Sequence, residues 1–390
     1  MNRRVSILGY GCTPIGEHWN MSLLDLGVQA IQSAMRELSD NHLDAIIVGN
    51  MLSGVLNRQE NLGAAIADRA GLAGVEAIKV EAACASGAAA LRTGYALIKS
   101  GLARRIAVVA VEKMTDSPAT RTVEALAFAN DFESETVVGA SNTALAALAT
   151  SAYMFETGAT PEALSQFSIN AYQRAAGTPY AMFQRAVTSS DWERSPIVAD
   201  PLRLLDCPAI CDGAAAVVLG CTSLENDASG VPPIHVAAVE GATDTVSITQ
   251  RSPILRMVAA EKSAANALQS AGLTLDQVDL LECHDAFPVT AALSIEATGV
   301  LPNGTGWRYF DPEFASDRRR VTIQSMGGIK GKGHPVGATG LYQVIDACMQ
   351  LRGQAGQNQI ANATTAMTQC FGGFASNVYT SILQVGAHHD

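Results

Sequence analysis

Short runs of β-branched and small apolar residues alternate along the chain with longer segments whose apolar positions recur every three to four residues. The short runs at 5–9, 45–48, 106–111, 214–221, 234–240, 280–283 and 376–383 predict strands. The longer segments at 23–38, 61–70, 85–99, 253–271, 291–298 and 341–351 predict helices. Alternation of this kind predicts an α/β fold with helices covering the sheets.

The pattern also repeats. MRELSDNHLDAIIVGNML (35–52) parallels LQSAGLTLDQVDLLECHDAF (268–287): a helix end, a polar turn, a hydrophobic-Asp pair, an apolar strand and a short loop. Each half next supplies a strand, a turn and a helix with one unusual residue. In the first half it is Cys84 in KVEAACASGAAALRTGYALIKSG, and in the second it is His334 in GGIKGKGHPVGATG. A linker rich in Asn, Asp, Ser, Gly and Pro is expected at 223–233. Within the first half, 116–195 reads as an insertion carrying a helix at 161–176, either a lobe that shapes a binding site or a surface excursion.

Composition narrows the field. The 390 residues exceed one ordinary core, and 48% hydrophobic with 16% charged residues describes a densely packed protein. A net charge of −11 argues against nucleic-acid or anionic-membrane partners, although a few local Lys or Arg could hold a small anion. No apolar run is long enough to span a membrane, and residues 1–9 lack the pattern of a signal peptide, so a cytoplasmic location is expected. The eight cysteines are scattered as reduced thiols would be. Cys207 and Cys211 form a CPAIC pair, but no further ligands follow at short spacing, so no metal site is expected.

Two glycine runs imitate nucleotide sites and fail. At 9–16 the third glycine is displaced and Pro14 interrupts the turn, and after Gly331-Lys332-Gly333 the next glycine, Gly337, comes one place too late. Four residues remain as candidates for chemistry. Cys84 is placed where a strand passes into an Ala-rich helix, whose dipole and free N–H groups would stabilise a thiolate. His334 lies in a glycine-rich turn before a helix and is the natural base for such a thiol. Cys370 falls in QCFGG, read as a loop between the Ala/Thr-rich stretch 361–367 and the last strand, where it is either structural or a proton carrier. His284 follows a strand directly, in ECHDAF, and is either a loop histidine or part of a polar cluster at a strand's C-terminal end.

Taken together these segments resemble the thiolase family. AACASGAAAL, GHPVGATG and the C-x-G of Cys370-Phe371-Gly372 are similar to its three signature sites, and DGAAAVVL (212–219) is also typical. HDAF (284–287) points to the branch of sterol-carrier-protein-2-type thiolases and archaeal-like acetyl-CoA acetyltransferases, here combined with a C-x-G cysteine. The resemblance implies a thiolase fold: two similar βαβαβαββ halves forming a five-layered α-β-α-β-α core, plus a loop domain. On that basis the N-terminal half takes 1–115 and 196–226, the loop domain 116–195 and the C-terminal half 232–390. It implies that Cys84 becomes acylated, that His334 activates it, and that Cys370 moves the α-proton. The N–H groups of Cys84 and Gly372 would form one oxyanion hole, and His284 with His334 the other. It further implies coenzyme A thioesters as substrates, no resident cofactor, and a homodimer or homotetramer. The reaction expected is reversible Claisen condensation and thiolytic cleavage of 3-oxoacyl-CoA. The alternatives are an acyltransferase or decarboxylating condensing enzyme on the same fold, with an unusual acceptor, and a non-catalytic CoA-binding scaffold subunit.

Overall fold

The computed structural model describes residues 3–36, 38, 40, 42–221, 233–315 and 321–386. The expected linker, Pro233 apart, lies outside the described residues. Strands β1 (Val5–Cys12), β2 (Ala45–Gly49), β3 (Glu76–Val80) and β4 (Arg105–Glu112) come first. After the small hairpin of β5 (Ile197–Ala199) and β6 (Leu202–Arg203), β7 (Gly213–Cys221) completes the N-terminal set. The C-terminal set is β8 (Ile234–Thr243), β9 (Leu280–Glu282), β10 (Thr322–Ile323), β11 (Thr365–Gly372) and β12 (Asn377–Val385).

The strand order is β10-β9-β11-β12-β8-β1-β7-β4-β2-β3. Read outward from its middle, it is the same five-strand arrangement twice. In one half β2 pairs in parallel with β3 and β4, and β7 is antiparallel to β4 and β1. In the other β9 pairs in parallel with β10 and β11, and β12 is antiparallel to β11 and β8. The halves join through only two residue pairs of β1 and β8, Ser6 with His235 and Ile7 with Ile234.

The hydrophobic-Asp pair seen in the repeat has a physical task. Asp44 precedes β2, and its carboxylate accepts the N–H groups of Arg104 and Arg105 at 2.7 and 2.9 Å, holding the start of β4. Asp279 precedes β9 and accepts those of Thr364 and Thr365 at 2.8 and 3.0 Å, holding the start of β11. A carboxylate that meets two backbone donors sets strand register in each half.

Alternation along the strands divides the core into layers. Ile46, Val48, Ala107, Val109 and Val111 pack outward against the helix Leu23–Met35. Ala45, Ile47, Ile106, Val108 and Ala110 point inward, to a cluster shared with Leu280, Ala366 and Leu383 of the other half. Between the two halves of the ten-stranded sheet run the helices Ser86–Ser100 and Thr339–Leu351. A helix-sheet-helix-sheet-helix stack results, with strands buried on both faces. Among the described residues no helix is long and apolar enough to cross a membrane.

Some elements differ from expectation. Cys370 is not in a loop. It lies inside β11, all eight residues of which are buried, so TAMTQCFG shows no polar face to mark it as a strand. The edge strand β3 was too short and mixed in polarity to stand out, and the segment 116–195 also contains a 16-residue helix, Asn142–Thr157, capped by Ser141. The helix expected from 253 starts at Val258.

Candidate active site

Cys84 stands at an elbow between β3 and the helix Ser86–Ser100. Ala83 holds φ at +50°, a left-handed conformation that costs a side-chain-bearing residue free energy. Ser86 braces it: its Oγ accepts the Ala82 N–H at 2.9 Å and donates to the Ala83 carbonyl at 2.6 Å. No glycine marks this elbow, and a serine two places after a cysteine does not announce the bracing role its hydrogen bonds show.

The His334 turn is more compact than an open glycine loop. A short helix, Gly328–Lys332, leads into it, and one 3-10 turn, Val336–Ala338, leads out to the helix Thr339–Leu351. Its glycines bring backbones together. A Cβ on Gly87 would stand 2.9 Å from the Gly337 carbonyl, and one on Gly340 would stand 2.7 Å from the Ala88 nitrogen. The two inner helices therefore meet at their N-terminal turns, which brings Cys84 and His334 to one place. Neither lysine of this turn faces a ligand. Lys332 is buried against Asp346, and Lys330 donates to the Asp285 carbonyl at 2.7 Å. Cys211 of the CPAIC pair packs beneath, its sulfur taking the His334 backbone N–H, while Cys207 donates to the Arg203 carbonyl.

Cys84, His284 and His334 line one cavity of about 210 Å³, with Gly373 and Phe374 from the end of β11. Cys370 borders the group: its Sγ is 3.5 Å from the Cys84 carbonyl and 3.7 Å from His284 Nδ1. The His284 and His334 rings meet edge-on, centroids 5.4 Å apart. Segment 116–195 supplies another wall through Val123, Leu126, Asn130, Asn142, Thr143 and Leu145. Gly372 is pressed against the elbow, for a Cβ there would lie 2.4 Å from the Ala82 carbonyl. Besides Cys84's own N–H, the backbone N–H directed at its sulfur is that of Gly373, one residue beyond the expected Gly372.

Burial sets the protonation states. The Cys84 thiol is pushed up to about 12, first by loss of solvent and then by the Glu112 carboxylate, against the smaller pull of the two N–H groups. The expectation of a ready thiolate is thus corrected. A helix N-terminus contributes roughly 0.3–1 kcal/mol, less than the desolvation of a buried anion. His334 is lowered by burial to about 4, and His284 well below its usual range by burial and the nearby His334 and Lys330 charges. Both rings are neutral near pH 7. His284 Nδ1 accepts the Phe371 N–H at 3.3 Å, so Nε2 carries its proton and is a donor. His334 Nδ1 is 2.7 Å from Thr339 Oγ1. When Nδ1–H donates to Thr339, Nε2 is left as a base. Burial also raises Cys370 well above an ordinary thiol, so it rests protonated.

The arrangement pairs a nucleophile and base with a second thiol and a ring N–H donor, in a space nearly free of charge. Such a site can form a thioester, stabilise an oxyanion and move a proton at carbon.

Comparison with known proteins agrees with this chemistry. The profile of the thiolase N-terminal domain matches residues 5–223, and that of the thiolase C-terminal domain-like family matches 241–385. An acetyl-CoA acetyltransferase of Methanothermobacter thermautotrophicus is 38% identical over 375 residues, covering 95% of this chain and 97% of its own. Sterol carrier protein 2 of Bos taurus is 28% identical over 95% of this chain and 70% of its own. Among solved structures, the Ltp2-ChsH2(DUF35) aldolase superposes with a TM-score of 0.85 at 18% identity, over 99% of both chains, a likeness of fold. Matched in both halves across most of its length, and built on the same doubled sheet, the chain belongs to the thiolase family.

Proposed function

We propose that this thiolase interconverts two acyl-CoA molecules, one of them acetyl-CoA, with 3-oxoacyl-CoA and free CoA. The observation that carries the reading is the approach of Cys370 Sγ to the backbone of Cys84 from the opposite half, with two neutral histidines beside Cys84 in the cavity lining. The first acyl-CoA is attacked at its carbonyl carbon by Cys84 Sγ, whose proton passes to His334 Nε2. The departing CoA sulfur takes that proton, leaving acyl-Cys84. Cys370 passes its proton to His334 Nε2, left free by the first step, and as thiolate removes the α-proton of acetyl-CoA, while His284 Nε2–H and the protonated His334 stabilise the enolate oxygen. The enolate carbon then attacks the acyl-Cys84 carbonyl and expels Cys84 sulfur, which takes the proton back from His334. In cleavage Cys370–SH returns the proton to carbon.

Among the described residues no lysine or arginine lines the cavity, so it fits the pantetheine arm and acyl group, with the CoA phosphates outside. On this reading CoA thioesters are substrates, no resident cofactor is called on, and the setting is cytoplasmic. The outer edge of β3, with Ile78 exposed, suits pairing with a second copy in a homodimer, on which a homotetramer could build. A decarboxylating condensing enzyme obtains its carbanion by loss of CO₂ and needs no second thiol, so Cys370 favours the thiolase reading over that alternative. The test is thiolysis of acetoacetyl-CoA and longer 3-oxoacyl-CoAs, with mass spectrometry of the enzyme. Turnover without an acyl group on Cys84, or turnover of malonyl-type thioesters alone, would overturn it.

A further inference from the structure

Glu112, the last residue of β4, is fully buried beside Cys84 and joins two turns that the sequence leaves unconnected. Its Oε1 accepts Asn50 Nδ2 at 2.8 Å and the Leu52 N–H at 3.0 Å. Its Oε2 accepts the Met51 N–H at 3.0 Å and the Gly337 N–H at 3.1 Å. Gly337 belongs to the turn that carries His334, and a Cβ there would come within 2.6 Å of Oε2. One carboxylate thus fastens the His334 turn of the C-terminal half to the loop after β2 in the N-terminal half. Four donors and, among the described residues, no cation at contact distance is a costly arrangement for a buried carboxylate.

We propose that Glu112 is a positioning residue for acyl transfer: it holds the His334 turn in register with the Cys84 elbow and sets the charge against which Cys84 ionises. The inference rests on the thiolase reading for its effect on turnover, but not for its effect on the thiol. A negative charge here disfavours an isolated thiolate and favours one balanced by protonated His334, so the proton moves only within the pair. The ionisable groups facing Cys84 are Glu112, Glu81, Cys370 and His334; facing Glu112 are Lys79 and Cys84. Of these, Glu112 alone is brought by burial to about 7.

The experiment is iodoacetamide alkylation of Cys84 in the full chain between pH 6 and 9, beside steady-state kinetics. In the native protein the logarithm of the alkylation rate should rise with pH, lag near pH 7 as Glu112 ionises and opposes the thiolate, and then resume. Glu112→Gln should remove the lag and lower kcat about 10- to 100-fold with KM within about threefold, since its amide turns an N–H₂ toward donors. Glu112→Asp keeps the charge but is one methylene short of Gly337. It should keep the lag and still lose turnover, which also serves if the glutamine variant does not fold. A lag that persists in Glu112→Gln, or native kcat in both variants, overturns the proposal. If no thioester is turned over at all, the alkylation profile still decides the role of Glu112 at the thiol.

Discussion

The Cys370 thiol donates toward the backbone carbonyl of Cys84 across 3.5 Å, so a central strand of one half delivers its sulfur to the foot of the elbow in the other. Cys370 and Cys84 are thereby set by two separate pieces of backbone. Each can be removed without displacing the other.

Cys370→Ala should therefore leave Cys84 able to take an acyl group from acetyl-CoA, while condensation falls by about 10²-fold or more. Trapped acyl-enzyme seen by mass spectrometry, set against the rate of acetoacetyl-CoA formation, separates the two steps. Equal loss of both would mean that Cys370 supports the elbow and not the carbon acid.

Cys84→Ala should abolish acyl-enzyme formation and reduce turnover by at least about 10³-fold. Ser86→Ala, which withdraws the brace from the left-handed Ala83, should keep the thiol but lower stability by about 1 kcal/mol, read by urea unfolding. An unchanged unfolding midpoint would show that the elbow holds without its hydroxyl.

Gly372→Ala places a methyl group 2.4 Å from the Ala82 carbonyl, a backbone atom that cannot yield without moving the elbow. A loss of about 1–3 kcal/mol is expected, together with slower acylation of Cys84 as the elbow and β11 separate. Native stability in this variant would contradict the close approach.

The buried histidine makes stability depend on pH with a definite sign. His334 binds its proton near 6.5 when unfolded but at about 4 in the fold. Its contribution is complete above pH 6.5 and is lost as the pH falls toward 4. His284 acts in the same direction, while Glu112, raised from 4.5 to about 7, acts in the opposite one, its contribution present below 4.5 and lost as the pH rises through 7. His334→Asn should thus lose less unfolding free energy between pH 7 and pH 5 than the native protein. Parallel losses in the two would rule out a neutral buried His334.

Much of this was legible in residue order. Alternating runs marked most strands, the repeat marked the two halves, and Cys84 and His334 stood in turns before apolar helices, because period and turn chemistry are local properties. Cys370 was legible as a motif but not as part of a strand, since β11 is buried on both faces and shows no alternation. Ser86, Thr339 and Glu112 carried no local sign: a serine after a cysteine, a threonine after a turn and an acid at a strand end have many uses. Their roles follow from partners as far away as Gly337, 225 positions along the chain from Glu112.

The sequence by itself determined the α/β class, the doubled architecture and the residue types for acyl transfer. Only the tertiary structure decided that Cys84 and the two imidazoles share one cavity with Cys370 at its border, and that the two thiols rest protonated. The cause is the packing of two helices through Gly87 and Gly340, which withdraws most of the site's surface from water. Desolvation depends on everything that surrounds a group, and no stretch of sequence contains its surroundings.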